Sequence, residues 1–246
     1  MPVYSVTKQS QSWHGIPVGI LILNACYPCI PGNVGNATSF SFPVRYKEVS
    51  EASIHGLINQ RDPALIQPFV EAARELEAEG VRTITGACGF MALFQREIAE
   101  AVQIPVCMSS LLQLPFIRQI LPRNQKIGVL TANADALTEG HFQSVGVTDH
   151  STLVIRGLEN STEFREAILE EKGTLDSDLM QREVVQAARE MNASNPDIGA
   201  MVLECSDLPP FAHAVQEAVS RPVFDFNTMI KHIHSAVVQH PYHGYL

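Results

Sequence analysis

A chain of 246 residues, 46% of them hydrophobic, can bury the core of one large or two small domains. Its net charge of −9 comes with no basic stripe, which excludes duplex nucleic acid as a partner. Five cysteines do not make a disulfide framework in a chain this long, the first residues hold no apolar leader core, and no run nears the ~20 apolar residues of a membrane span. The expectation is a soluble cytoplasmic protein without membrane partners.

Residues 1–17 read as an irregular lead-in. Val18–Leu23 is a continuous apolar run ending at Asn24, the pattern of a buried parallel strand. The loop NACYPCIPGNVGNATSFSFP that follows is of a length that is generally functional or disordered. Val44–Ser53 supplies a further short strand and turn. Asp62-Pro63, an N-cap before Pro at the first helical position, starts a helix to about Glu79, stopped by Gly80. Val81–Thr85 is a strand leading to Cys88, and a helix with Leu93, Phe94, Ile98 and Val102 at helical spacing follows. Val106–Met108 is a short strand, and Ser109–Leu121 a helix distorted at Pro115.

The pattern then restarts. Ile127–Ala134 (IGVLTANA) matches Val18–Ala25 (VGILILNA) at Gly, Leu, Asn and Ala without a gap. A helix over about Ala136–Val145, strand Thr152–Arg156, helices Ser161–Lys172 and Asp176–Met191, and strand Ile198–Glu204 lead to Cys205. Cys205–Val223 (CSDLPPFAHAVQEAVSRPV) lies on Cys88–Val106 (CGFMALFQREIAEAVQIPV) without a gap, sharing Cys, Phe, Glu, Ala, Val, Pro and Val. From Asp225 the tail reads as one terminal helix. Alternating strands and helices predict an α/β protein of two similar parallel-sheet lobes, residues 1–117 and 118–223, with a C-terminal helix over 224–246 returning to the first. Both cysteines fall beyond the carboxyl ends of strands, where ligands sit in such sheets.

A thiol at the start of a helix has unpaired N–H groups beside it, which favour the thiolate. Two thiols on opposite sides of one carbon suit proton removal from one face and return to the other, which inverts a stereocentre. The developing enediolate needs preorganised donors. Backbone amides near Asn33, Asn36 and Cys88 are candidates, because PGNVGNAT (Pro31–Thr38) lacks dinucleotide-loop spacing.

The two cysteines, ECSDLPP (Glu204–Pro210) and the GILILNA…PGNVGNA opening together resemble the aspartate/glutamate racemase superfamily, hydantoin-racemase-like members above all. The resemblance runs from Val18 to about Thr228. It implies two flavodoxin-like lobes related by a pseudo-twofold, an active site in the cleft between them, and neither PLP nor metal. Cys88 and Cys205 match the acid/base pair, and Asn24 the polar residue closing the first strand. Ser206-Asp207 stands where the family often has Thr-Glu. Gly89-Phe90 replaces the Asn-Thr of amino-acid racemases, which argues against free aspartate or glutamate as substrate.

Other residues read more plainly. Cys107 is expected in the core, and Cys26-Tyr27-Pro28-Cys29 is neither redox motif nor zinc site without a helix or further ligands. His232 and His234 do not share a helix face, so the four tail histidines are surface rather than metal ligands. Asp207 either tunes the second thiol or caps the helix after Pro209-Pro210, and Glu204 at a buried strand end requires a partner. The expected function is a cofactor-independent two-cysteine racemase or epimerase acting on a small carboxylate or cyclic amide, with Asn24, Asn33, Asn36, Gly89, Ser206 and Asp207 around the substrate. A single-cysteine decarboxylase or isomerase, and a two-lobed binding protein without turnover, are the alternatives, and a homo-oligomer is left open.

Overall fold

The computed structural model describes Val3, Ser5, Val6 and residues 11–245. The lead-in expected over residues 1–17 lies partly outside these; from Gln11 to Pro17 it is irregular. Four strands, β1 (Val18–Leu23), β2 (Val44–Val49), β3 (Thr83–Gly86) and β4 (Val106–Cys107), form a parallel sheet in the order β2-β1-β3-β4. Helices α1 (Ile66–Ala78) and α2 (Gln95–Ala101) lie between its strands, and α3 (Leu114–Ile120) leads out.

The second half repeats the plan. Its strands β5 (Lys126–Thr131), β6 (Leu153–Gly157), β7 (Ile198–Leu203) and β8 (Val223–Phe224) are parallel in the order β6-β5-β7-β8. Helices α4 (Glu139–Ser144), α5 (Thr162–Phe164), α6 (Ser177–Ser194) and α7 (Ala212–Val219) intervene, and α8 (Phe226–Val237) closes the chain. No helix among the described residues is long and apolar enough to cross a membrane.

Both faces of β1 are covered, which is why its sequence is apolar throughout. Val18 and Ile20 pack with Phe226, Met229 and Ile230 of α8, while Leu21 and Leu23 join the main core shared by both halves. The glycine repeated in the two opening strands has a packing cause. A Cβ on Gly19 would stand 2.9 Å from Leu76 Cδ1 of α1, and one on Gly128 3.0 Å from Met191 Cε of α6. The bare backbone lets one helix close on each first strand.

Several helix expectations are corrected. The Asp62-Pro63 helix opens as a 3₁₀ turn, Pro63–Leu65, with the Asp62 side chain accepting from Ala64 N. Pro115 distorts nothing: Ser110–Gln113 is a 3₁₀ turn and α3 begins at Leu114, so Pro115 sits where its missing N–H has no intrahelical acceptor. The single helix expected over Ser161–Lys172 is α5 followed by a π-helical turn, Arg165–Leu169, matched in the first half by another at His55–Gln60. Helix α4 starts only at Glu139, where Thr138 and His141 form a capping box, and α8 ends at Val237, short of the C-terminus. Cys107 is half-buried on the short strand β4 rather than sealed in the core.

Candidate active site

Both cysteines stand just beyond a central strand, at the entry to a 3₁₀ turn. Cys88 has extended backbone (φ −161°, ψ 129°) and precedes the turn Gly89–Phe94, which runs into α2. Cys205 follows β7 and precedes Pro209–Phe211, which runs into α7. The two thiols line one cavity together with Leu23, Tyr27, Phe90, Ser206 and Asp207. No lysine or arginine is among its lining residues.

The surroundings of the two thiols differ. Cys205 Sγ donates to Asp207 Oδ2 at 3.2 Å. Asp207 Oδ1 accepts from Asn33 Nδ2 at 2.5 Å. Asn33 is held in that orientation because its own Oδ1 accepts from Gly35 N at 2.7 Å. Burial pushes the Asp207 carboxyl upward, countered by Cys205, Asn33 and the nearby Tyr27 hydroxyl. Burial first, and the Asp207 charge second, push Cys205 well above the ordinary thiol range. Asp207 is thus bonded to the thiol and to the Asn33 loop, and the residue at the cap of the 3₁₀ turn is Leu208.

Cys88 has no such acceptor. Burial, and then the Glu204 carboxylate, raise its thiol, while the N–H groups of Phe90 and Met91 pull the other way. Glu204 is fully buried: Oε2 accepts from Thr131 Oγ1 at 2.8 Å and Oε1 has no partner. Burial, the first cause, raises its carboxyl to about 7. A Cβ on Gly89 would lie 2.0 Å from Glu204 Oε1 and 2.4 Å from its carbonyl oxygen, so Glu204 fills the space that a side chain at position 89 needs.

The long loop after β1 is docked on the second half. Gly32, at φ +101°, lies so close to Pro210 that a Cβ would stand 2.8 Å from its Cα. Asn227 Nδ2 donates to Gly32 O at 2.8 Å, and Ser206 Oγ reaches Ala87 O at 2.7 Å. Gly89, Ser206 and Asp207 therefore line the cavity with the thiols, and Asn33 stands behind them on Asp207. Asn24 and Asn36 do not line the cavity. Asn24 is exposed and donates to Ser50 O, and Asn36 spends its side chain inside its own loop, on Cys29 O and Thr38 N.

The cavity is about 20 Å3, room for roughly one water. Part of its lining is Ile54 and Ile58, at the first π-helical turn, and Ile168 and Leu169, in the second. A left-handed residue follows each turn, Arg61 at φ 51° and Glu171 at φ 54°. Arg61 Nη1 donates to Ala136 O in the other half at 3.4 Å, and Glu171 Oε1 accepts from Cys26 N at 2.5 Å. These turns and the Glu204–Gly89 contact escaped sequence reading. π-Helical turns leave no periodic signature, whereas the lone acid ending IGAMVLE was a usable signal.

Comparison with known proteins places the chain in a known class. The chain belongs to the Asp/Glu/Hydantoin racemase family, whose model matches residues 52–230. Among its relatives is a dimethylsulfoniopropionate lyase of Durusdinium sp. clade D, 33% identical over 85% of this chain and 70% of that protein. Dimethylsulfoniopropionate lyase 7 of Emiliania huxleyi is 30% identical over 92% of this chain and 69% of that protein. Among solved structures, arylmalonate decarboxylase superposes with TM-score 0.57 at 15% identity, over 92% of this chain and 94% of the other. A glutamate racemase from Bacillus anthracis gives TM-score 0.55 at 17% identity, over 91% and 83%. The structural likenesses establish the fold.

Proposed function

We propose that the protein is a cofactor-independent lyase of small carboxylates in which Cys205, paired with Asp207, removes the proton next to the carboxylate and a group on the β-carbon departs. The observation that carries this reading is the Cys205–Asp207 contact, which only the second half provides. Asp207 takes the thiol proton and leaves a buried thiolate beside the substrate.

The substrate class named in the lyase relatives, a β-sulfonio propionate, suits the chemistry of this lining once the chamber widens to take it. Its cationic head meets no lysine or arginine there, and finds the Tyr27 ring and the negative charge that Cys205 and Asp207 share. Its carboxylate is taken by backbone N–H groups around Gly89, which opens the first 3₁₀ turn, and around Ser206, in the segment before the second. Cys205 takes the α-proton, the C–H electron pair becomes the Cα=Cβ bond, and the Cβ–S bond breaks. The sulfur leaves with its electron pair as a neutral dialkyl sulfide, acrylate remains, and the proton passes to solvent. Cys88 is not needed as a second base.

Inversion by two bases is the second reading, favoured by the fact that both thiols line the same cavity. The pseudo-twofold relation of the halves and a cleft between them belong to both readings. NMR in D2O with dimethylsulfoniopropionate, amino acids, hydantoins and 2-substituted malonates separates the two. The expected result is acrylate and dialkyl sulfide with wild type and Cys88→Ala, and none with Cys205→Ala. Deuterium entry with inversion, lost in both variants, would replace the lyase by a racemase; release of CO2 from the malonates would replace it by a decarboxylase.

A further inference from the structure

We propose that Glu204 is a positioning residue that works as the neutral acid, keeping the floor beneath Cys88 uncharged, and that its ionisation closes the site to anionic substrates. The inference rests on the reading above only in taking the ligand to be a carboxylate.

The geometry is that of a buried acid with no counter-charge. Glu204 has no exposed surface, one hydroxyl donor at Oε2 and no partner at Oε1. With only the Thr131 hydroxyl and the Ala132 N–H to support it and no cation beside it, an ionised carboxylate here is poorly compensated for its burial, and a neutral acid needs less. The groups that face it come from four directions. From β5 and its end come the Thr131 hydroxyl and the Ala132 N–H. From the turn after β3 come Cys88 and Gly89. Ser110 donates to the carbonyl oxygens of Leu203 and Glu204, leaving the carboxyl untouched. From its own turn comes the Asp207 carboxylate, whose charge opposes ionisation of Glu204. None of these groups is a cation.

Asp207 lies three residues on and is treated in the opposite manner. Cys205 and Asn33 both donate to it, so it is the acid equipped to carry a charge. Two carboxyls in one site, one supplied with donors and one starved of them, divide the acid and base states between them. An ionised Glu204 would add a second negative charge directly behind Gly89 and Cys88, where the incoming carboxylate is to be held. With Glu204 titrating at about 7, the site is open to anions on the acid side of neutrality and closed on the alkaline side.

The test compares two alkylating agents of the same shape, iodoacetate and iodoacetamide, on the full chain between pH 6 and pH 8. Labelling at Cys88 and Cys205 is read by peptide mass spectrometry. The ratio of the two rates cancels thiolate fraction and access, and reports the charge that a carboxylate meets. Because neither reagent is the enzyme's substrate, the result does not depend on lyase activity. The expected ratio in wild type falls about tenfold across this range, and stays flat in Glu204→Gln. A flat ratio in wild type, or an unchanged fall in Glu204→Gln, overturns the proposal. Thr131→Val provides a second arm should Glu204→Gln fail to fold. Loss of the only side-chain donor moves the midpoint of the fall to higher pH, and an unmoved midpoint overturns the proposal as well.

Discussion

The turns Ala87-Cys88-Gly89-Phe90 and Glu204-Cys205-Ser206-Asp207 follow matching strands of two sheets with the same order, yet both acids lie in the second. Where the first turn has Ala87, the second has Glu204; where the first has Phe90, the second has Asp207. Each turn also leans on the other. Gly89 is bare because Glu204 presses on it, and Ser206 keeps its side chain because only Ala87 O stands opposite, 2.7 Å from its hydroxyl. A repeated backbone thus carries two acids in one turn and none in the other. The difference teaches that a duplicated thiol does not bring duplicated surroundings.

The comparison breaks most visibly at the thiols. Cys205→Ala is expected to lower kcat/KM for the elimination at least about a thousandfold and Cys88→Ala by about tenfold. Equal losses, read by acrylate formation, would return the two turns to equivalence. Asp207→Asn keeps the shape and removes the proton acceptor from Cys205; a loss of about a hundredfold in kcat is expected, with the loss recovered in part as pH rises and the thiol ionises unaided. A pH-rate profile of that variant parallel to wild type would remove Asp207 from the reaction.

Stability sharpens the same contrast. Gly89→Ala drives a methyl group into Glu204, against its carbonyl oxygen as well as its side chain, and is expected to cost about 3 kcal/mol in urea unfolding. Ser206→Gly, in the matching place, is expected to cost about 1 kcal/mol, the value of one hydrogen bond. The last effect is spread over a pH range. Burial raises Glu204 from 4.5 in the unfolded chain to about 7 in the folded one, so the folded state binds the extra proton between those values. Its contribution is complete below pH 4.5 and is lost as pH rises toward 7, by up to about 3 kcal/mol before neighbouring acids are counted. Unfolding midpoints from pH 4.5 to 7.5 are expected to decline in wild type more steeply than in Glu204→Gln.

Much of this was legible because hydrophobic periodicity and repetition are local. β1 coincides with the apolar run Val18–Leu23, and the two aligned cysteine segments do occupy matching positions in two sheets of one order. Asn33 and Asp207 were readable as residue types near a thiol, though nothing in their spacing, 174 positions apart, announces their hydrogen bond. Asn24 and Asn36 were read from their place beside a strand end and in a glycine-rich loop, but Ser50 and Cys29 claim their side chains in the folded chain. Local pattern ranks candidates; only tertiary packing decides which of them keep a free hydrogen-bonding group.

The π-helical turns hold one side of the chamber. With room for about one water, it takes nothing of three carbons or more while Ile54, Ile58, Ile168 and Leu169 and the rest of its lining stay in place; take the four as the side that would withdraw. Withdrawal means parting Arg61 from Ala136 and Glu171 from Cys26, two fastenings that cross between the halves in opposite directions. Both fastenings are made by left-handed residues, so the two halves are tied together on the side of the chamber where the π-helical turns lie.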